Sequence, residues 1–310
     1  MQQKTTLKDW SLQWLNTLQN SVAETTIAQY KHCITRYILP YFGSSLLTDI
    51  SEDDIQLFYN RLANGEKALS TQTVHLTASV LHGCLSYAVN NHILAYNPAD
   101  LAYVHKRTYN RGEILPDEMI RYILKKRFKN TYENFFPVLL FSALRYGECA
   151  GLSWECVDFS RNTILIRQQL TEFSSEGKTI RVIRPCLKNY KERHIKLPEQ
   201  AFRYFSDQKN LQERYKAAIG DSWSNPNNLV FTNKDGTPYQ HYKVTRRFKK
   251  IAVLYGMPEA SIHTLRHTGC SIIFQATKDI NLLRQYTGHS SDGAAAYYIH
   301  SMETLKRSQS

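Results

Sequence analysis

The spacing of apolar residues constrains the fold of this chain more than any other feature of its sequence. In the first hundred residues apolar side chains recur at intervals of three and four, as at Leu7, Trp10, Trp14 and Leu18, which is the period of an amphipathic helix. Later segments, NTILIRQQL, KTIRVIRP and ERHIKLP, alternate with the period of short strands. After residue 240 the helical period returns. The pattern predicts a mainly α-helical chain with a small β-sheet inserted in its second half.

The N-terminal part predicts a compact module of helices joined by short loops. The segment ETTIAQYKHCITRYI has a helical period, and we expect Pro40 and Gly43 to end it. Ser51 and Asp54 have the spacing of a capping box and start a helix. A further apolar stripe covers residues 71–91. Four helices of this kind favour a small helical domain.

A change in composition then predicts a second domain. The stretch LAYVHKRTYNRGEILPDEM mixes basic, polar and glycine residues without periodicity, which is typical of a linker. We therefore predict a helical domain at residues 1–104, a linker at 105–114 and a second domain at 115–310. In the second domain, helices are expected to start at Pro116 and to cover Tyr132 to Leu152, and the DG pair in LVFTNKDGTPY predicts a hairpin turn.

The distribution of charge indicates a polyanionic partner. The net charge is +12, and residues 1–110 hold 8 basic and 8 acidic residues, whereas residues 111–310 hold 31 and 19. The whole excess therefore lies in the second domain, as expected for a protein that binds nucleic acid. A generic basic surface is the alternative interpretation.

Several other classes of protein are disfavoured. No apolar run approaches the roughly 18–20 residues that span a bilayer, and the start, MQQKTTLKDW, lacks the apolar stretch of a signal peptide, so the cytoplasm without membrane contact is the expected location. The six cysteines lack CxxC spacing, so we expect reduced, buried thiols and no zinc site. No cluster of carboxylates suits Mg²⁺ and no GxxxxGK[ST] loop occurs, so no metal or other cofactor is expected.

The stretch SIHTLRHTGC places two imidazoles and a guanidinium on one helical turn, at His263, Arg266 and His267. A zinc site of the HExxH type would need a glutamate where Thr264 stands. A second interpretation is that the histidines form hydrogen bonds with the unpaired backbone groups at the start of a helix. Other motifs decide the matter, because the stretch is one of several that occur in a fixed order.

Five elements follow one another along the second half of the chain. They are Arg145 in ALRYGECAGLSW, Lys188 in LKNYKERHIKLP, the His-Arg-His set, His289 in TGHSS, and Tyr298 in AAAYYIH, nine residues after His289. Their order and spacing resemble the tyrosine recombinases, the phage-type integrase family. The resemblance covers residues from about Leu115 to His300, and the helical module before them resembles the family's core-binding domain.

The resemblance implies a fold and a reaction. It implies an N-terminal helical core-binding domain, similar to SAM-like domains, followed by an α+β catalytic domain. It also implies an enzyme that cleaves and rejoins DNA strands through a 3′-phosphotyrosine intermediate, with Tyr298 as the nucleophile. A type IB topoisomerase-like enzyme and a DNA-binding regulator without catalysis are the alternatives.

The resemblance also implies a role for each side chain. Guanidiniums suit a phosphate because they remain charged and offer forked donors, and Arg145 and Arg266 are assigned to this clamp. A phenol needs help to lose its proton at neutral pH, and His267 is the candidate acceptor. Lys188 is placed as the general acid. His263 and His289 are expected to donate to phosphate oxygens.

Some assignments remain open in the sequence. Glu148 is acidic in a basic site, so it is expected to orient Arg145 or a histidine. Lys191 and Arg193 are alternatives to Lys188 as proton donor, and Tyr297 is an alternative to Tyr298. Thr287 stands where the family usually has leucine, which puts the local packing in question.

The expected partners are double-stranded DNA, three further copies of the chain in a tetramer on paired DNA sites, and an excisionase or DNA-bending accessory protein. The expected location is the nucleoid. Basic residues outside the catalytic set are expected to contact DNA phosphates. They are Lys31, Arg36, Arg246, Arg247, Lys249 and Lys250.

Overall fold

The computed structural model describes residues 5–66, 68–104, 114–125, 131–175, 177–185 and 192–288. It divides the chain into two compact units, residues 1–109 with 173–180, and residues 110–172 with 181–310. Lys188, His289 and Tyr298 lie outside the described residues, as do their alternatives Lys191 and Tyr297. In the ranges that are described, no helix has both the length and the apolar character needed to cross a membrane.

The first unit is helical, as predicted. Its helices are α1 (Leu7–Leu18), α2 (Glu24–Cys33), α3 (Leu39–Phe42), α4 (Glu52–Asn64) and α5 (Thr71–Asn90). The predicted capping box of α4 is confirmed, because the Ser51 hydroxyl accepts from the Asp54 amide and the Asp54 carboxylate accepts from the Ser51 amide. The Trp10 indole is buried and donates to the carbonyl of Cys84 on α5, at 3.0 Å. The helices thus pack around one apolar core, including Trp10, Phe58 and Leu81.

The prediction that Pro40 and Gly43 end a helix is confirmed for Gly43 and wrong for Pro40. Between α2 and α3 the chain forms a π-helical turn, Ile34–Ile38, and the helix continues through Pro40 until Gly43 caps it. Proline has no amide hydrogen to donate to the preceding turn. A wider turn at this point keeps the chain helical without that donor.

The second unit combines helices with a small three-stranded sheet, which confirms the predicted class. Its helices are α6 (Asp117–Lys125), α7 (Thr131–Ser142), α8 (Tyr146–Ala150), α9 (Glu199–Ile219), α10 (His241–Leu254), α11 (Ile262–Thr277) and α12 (Ile280–Thr287). The strands of the chain are β1 (Val157–Asp158), β2 (Thr163–Ile166), β3 (Gln168–Ser175), β4 (Lys178–Pro185) and β5 (Arg193–Lys196). One sheet has the order β1-β2-β5 with antiparallel pairs, and β3 pairs with β4 in the other.

The apolar core of the second unit lies between the helices and the three-stranded sheet. α7 is its centre, since Phe135, Phe136 and Leu139 are fully buried. On β2 the alternation of the sequence is confirmed, because Ile164 and Ile166 are buried while their neighbours are partly exposed. The cysteines among the described residues are free and buried, as expected.

Three features of this unit differ from the sequence predictions. The helix expected from Tyr132 to Leu152 is broken after Ser142, because Ala143 has a φ of 49° and Arg145 an extended backbone. The DG hairpin is closed by a single bridge between Thr232 and Pro238 instead of two strands. No element was predicted for residues 199–219, which form the 21-residue helix α9.

Close contact between α7 and α11 requires a glycine on α11. A Cβ atom at Gly269 would lie 2.4 Å from the backbone carbonyl oxygen of Leu140 on α7. We expect Gly269→Ala to lower the free energy of unfolding by about 1–3 kcal/mol, because the two helices must separate to admit the methyl group. Chemical denaturation measures this change.

The matched control is Ala276→Ser, an exposed position on α11, where only a small difference in helix propensity is expected. Equal stability of Gly269→Ala and the control would contradict the close approach of the two helices.

Candidate active site

The break between α7 and α8 places Arg145 at the start of α8. Its backbone amide donates to Glu148 Oε2 at 2.9 Å, and its Nη1 donates to Glu148 Oε1 at 3.2 Å. A continuous helix would have directed the amide of Arg145 to its own preceding turn. At the other end of α8, a Cβ atom at Gly151 would lie 2.5 Å from the backbone nitrogen of Leu170, so this glycine lets β3 lie against the helix.

The first turns of α11 carry the second arginine and both histidines. Ser261 caps the helix, and its hydroxyl accepts from the amides of His263 and Thr264. Arg266 is only 2% exposed, so its guanidinium lies inside the unit. The rings of His263 and His267 contact each other edge to face, with centroids 4.2 Å apart.

The C-terminal end of α12 brings the two arginines together. The carbonyl of Thr287 accepts from Arg145 Nη1 at 3.2 Å and from Arg266 Nη2 at 3.1 Å. The last carbonyls of a helix have no partner within it and carry partial negative charge, so guanidiniums are suitable partners. His289 follows Thr287 by two residues in the sequence. Thr287 itself is fully buried, and its hydroxyl donates to the Leu283 carbonyl at 2.9 Å.

Glu148 supplies a buried carboxylate to this cluster, and it is 3% exposed. Arg193 Nη2 donates to its Oε2 at 2.9 Å, and Arg266 Nη1 lies 3.8 Å from the same oxygen. Burial acts to raise the pKa of Glu148, but the charges and hydrogen bonds of Arg193 and Arg145 outweigh burial and hold its pKa below the usual value. The carboxylate is therefore ionised at neutral pH.

The charge balance of the cluster favours an anion. In the described part of the chain, the guanidiniums of Arg145, Arg193 and Arg266 all face the carboxylate of Glu148. Arg145 is the member most open to solvent, with 33% of its side chain exposed. Partial loss of water contacts, together with the charges of Arg266 and Arg145, lowers the pKa of His263 from its usual value. A group of fixed donors with excess positive charge can stabilise negative charge that develops on a bound phosphate.

The structure thus places Arg145, Glu148, His263, Arg266 and His267 in one unit, and joins Arg145, Glu148 and Arg266 directly. Lys188, His289 and Tyr298 fall outside the described residues. In the described part of the chain, no three histidine, cysteine or acidic side chains are grouped as metal ligands.

Arg193 is the site residue that sequence reasoning assigned differently. The sequence predicts it only as an alternative proton donor, whereas its guanidinium is bound to Glu148 and to the Tyr286 carbonyl, the latter at 3.3 Å. A signal was present in the sequence. Arg193 shares a strand face with Ile195, and Ile195 is buried.

The predicted DNA-contacting residues divide into two groups. Lys31 and Arg36 in the first unit, and Arg246, Lys249 and Lys250 on α10, are exposed. The guanidinium of Arg247, in contrast, forms an ion pair with Glu133, whose side chain is 5% exposed. Arg247 therefore holds α10 to α7.

Comparison with known proteins identifies the family. Residues 117–304 match the sequence model of the phage integrase family, and residues 6–63 match that of the phage integrase N-terminal SAM-like domain. The chain belongs to the phage integrase family. It is a tyrosine-type site-specific recombinase, an enzyme of DNA recombination and integration.

Individual members of the family show similarity along almost the whole chain. A XerC-like tyrosine recombinase of Caldanaerobacter subterraneus subsp. tengcongensis is 26% identical over 317 residues, which cover 96% of this chain and 80% of that protein. The ICEBs1 integrase of Bacillus subtilis is 24% identical over 263 residues, covering 84% and 69%.

Solved structures share the fold of this recombinase. The Tn1549 transposon integrase in complex with a circular intermediate DNA has a TM-score of 0.78 at 18% identity, over 98% of this chain and 99% of that one. A lambda integrase tetramer bound to a Holliday junction has a TM-score of 0.65 at 16% identity, over 95% and 77%.

Proposed function

We propose that this recombinase cleaves DNA at specific sites with Tyr298 as the nucleophile and rejoins the strands in a new arrangement. The observation that supports the proposal is the convergence of Arg145 and Arg266 on the Thr287 carbonyl and Glu148. These contacts fix two forked donors in advance of the reaction, so little reorganisation is needed when a phosphate enters.

In the proposed cleavage step the Tyr298 oxygen attacks the scissile phosphorus while the bond to the 5′ oxygen breaks. His267 accepts the phenolic proton, and Lys188 gives a proton to the leaving 5′ oxygen. Arg145, Arg266, His263 and His289 donate to the non-bridging oxygens. The reverse reaction, with a 5′ hydroxyl from a partner strand, rejoins DNA. Both directions conserve the number of phosphoester bonds, so no ATP is needed.

The proposed assembly follows from this chemistry. Exchange of strands between two duplexes requires two sites and a protomer for each strand that is cut, hence a tetramer on double-stranded DNA. The lambda integrase tetramer on a Holliday junction supports this for a protein of the same fold. We place residues 1–104 as the core-binding domain, 105–114 as the linker and 115–310 as the catalytic domain. The proposed assembly also includes an excisionase or a DNA-bending protein as an accessory partner. The proposed location of the reaction is the cytoplasmic nucleoid.

A suicide substrate tests the proposed function. A nick beside the cleavage site lets a short 5′-hydroxyl strand escape, so rejoining fails and covalent protein–DNA accumulates. The recombinase is expected to form this adduct and to exchange strands between two sites. An adduct without strand exchange would indicate a topoisomerase-like enzyme, and DNA binding without any adduct would indicate a regulator.

The exposed lysines of α10 are expected to contact phosphates. Lys249→Ala and Lys250→Ala should each reduce the slope of log binding constant against log salt concentration by up to about 0.9, since each phosphate contact releases condensed counterions. Fluorescence anisotropy with duplex DNA measures the slope. Lys209→Ala, at an exposed position on α9, is the control. Slopes that match the control would contradict contacts from α10.

A further inference from the structure

Arg193 joins three elements of the second unit at one point. It is the first residue of β5, where it pairs with Ile166 of β2. Its Nη2 donates to Glu148 on α8 at 2.9 Å, and its Nε donates to the Tyr286 carbonyl on α12 at 3.3 Å. The side chain is 11% exposed, so these contacts are made largely away from water.

Arg193 contacts Glu148, which is one anchor of the arginine clamp, and the carbonyl next to that of Thr287, which is the other anchor. Glu148 binds Arg145, and the residue after Tyr286 supplies the carbonyl that binds both Arg145 and Arg266. A shift of Arg193 would therefore move both anchors of the clamp together. Tyr286 is also tied to β5 directly, because its hydroxyl donates to the Lys196 carbonyl.

Charge gives Arg193 a second effect on Glu148. Among the described residues, the charged groups that face this carboxylate are Arg145 beside it, Arg193 on β5 and Arg266 on α11, and the buried thiol of Cys149 is next in the chain. Among the groups that lower the pKa of Glu148, Arg193 has the largest influence, although burial acts in the opposite direction. Without Arg193, a carboxyl that is 3% exposed would protonate at higher pH.

The contacts argue against Arg193 as the proton donor of the reaction. A guanidinium holds its proton too firmly to serve as an efficient general acid. Both contacts described here also turn the group toward Glu148 and α12.

We infer that Arg193 is a positioning residue for DNA cleavage, which holds Glu148 and the end of α12 so that Arg145 and Arg266 meet the scissile phosphate in one geometry. This inference rests on the proposed function for its catalytic readout. Its structural part is independent of that function and can be measured without DNA.

The first test measures single-turnover adduct formation on the suicide substrate across pH. Arg193→Gln is expected to slow cleavage on the order of 100-fold at neutral pH, the scale of a small misplacement of reacting groups, and to move the acidic limb of the profile to higher pH. Arg193→Lys should recover part of the rate and move the limb back. Arg203→Gln, an exposed position on α9, should match the wild type. A slower Arg193→Gln variant with an unmoved acidic limb would overturn the inference.

The second test asks whether Arg193 acts through Glu148. In a Glu148→Gln background, Arg193→Gln should slow cleavage far less than it does in the wild type, because the carboxylate that it positions is already absent. The same fold-loss in both backgrounds would overturn the inference.

The third test uses the free energy of unfolding of the DNA-free protein as a function of pH. The folded pKa of Glu148 is below its ordinary value of about 4.3, so its ionisation stabilises the protein above that pH, and this stability is lost as the pH falls through the folded pKa. The difference between wild type and Arg193→Gln should therefore be largest at neutral pH, and it should shrink as the pH falls through the raised pKa of Glu148 in the variant toward the lower pKa of Glu148 in the wild type. A difference that is constant with pH would overturn the inference.

Wild-type protein that forms no adduct would contradict the proposed function instead, and leave this measurement unaffected.

Discussion

Replacement of Tyr298 by phenylalanine is expected to abolish the covalent protein–DNA adduct. The change removes the oxygen that would bond to phosphorus, and no other group in the proposed step can form the phosphotyrosine. Affinity for duplex DNA should remain close to that of the wild type, because the arginines, the histidines and the basic surface of α10 are unchanged. Adduct formation on a suicide substrate, followed by denaturing gel electrophoresis, measures the first effect, and anisotropy measures the second.

Tyr297→Phe is the matched control, since it makes the same change one residue earlier. This variant should form the adduct. Loss of the adduct in Tyr297→Phe together with its retention in Tyr298→Phe would show that the nucleophile has been assigned to the wrong tyrosine.

Replacement of Arg266 by lysine is expected to slow adduct formation by about 10²–10³-fold. Arg266 Nη2 donates to the Thr287 carbonyl at 3.1 Å while Nη1 lies 3.8 Å from Glu148, and a single ammonium lacks the planar fork that holds both at once. The clamp would then lose a donor that is fixed before the reaction. Rapid-quench measurement of single-turnover cleavage gives the rate.

A loss of activity in Arg266→Lys could also come from poor folding, because the position is 2% exposed. Arg145→Lys separates the two effects, since a third of its side chain is open to solvent. It should be slowed to a similar extent with little change in melting temperature, and Arg203→Lys should be unaffected. A wild-type rate in Arg145→Lys would contradict its place in the clamp.

Much of the fold could be predicted because local and tertiary preferences agree. The capping box at Ser51 and the alternation at Ile164 and Ile166 each follow from a pattern of a few residues, and the structure confirms them. The break after Ser142 could not be predicted in this way. The sequence there is apolar and favours a helix, and the turn at Ala143 arises where the chain packs against Cys270 and Leu283, more than a hundred residues later.

The helix α9 shows the opposite case, since the sequence does contain the helical period of its buried face. Its buried residues Phe202, Phe205, Gln208 and Gln212 recur at intervals of three and four. Gln208 and Gln212 have polar amide side chains, so the buried face of the helix does not stand out as an apolar stripe in the sequence. Gln212 satisfies its amide by donating to the carbonyls of Leu229 and Val230, so a polar residue serves as part of the core.

For the site, the sequence identifies which residues belong together, but it does not show which contacts hold their side chains in place. The order of motifs identifies Arg145 and Arg266, the acidic character of Glu148 in a basic site singles that residue out, and the structure joins these three. The bonds to the Thr287 and Tyr286 carbonyls could not be read from side-chain identity, because any residue supplies a carbonyl. The position of Arg193 beside Glu148 likewise depends on the register of β5 against β2.

Identification of the amino acid that is joined to DNA tests the central claim most directly. The adduct formed on a suicide substrate would be digested with protease and nuclease, and the peptide carrying a nucleotide remnant would be sequenced by mass spectrometry. We predict a 3′-phosphoryl linkage to the oxygen of Tyr298. A linkage to another residue, or to the 5′ end of the cut strand, would contradict the account.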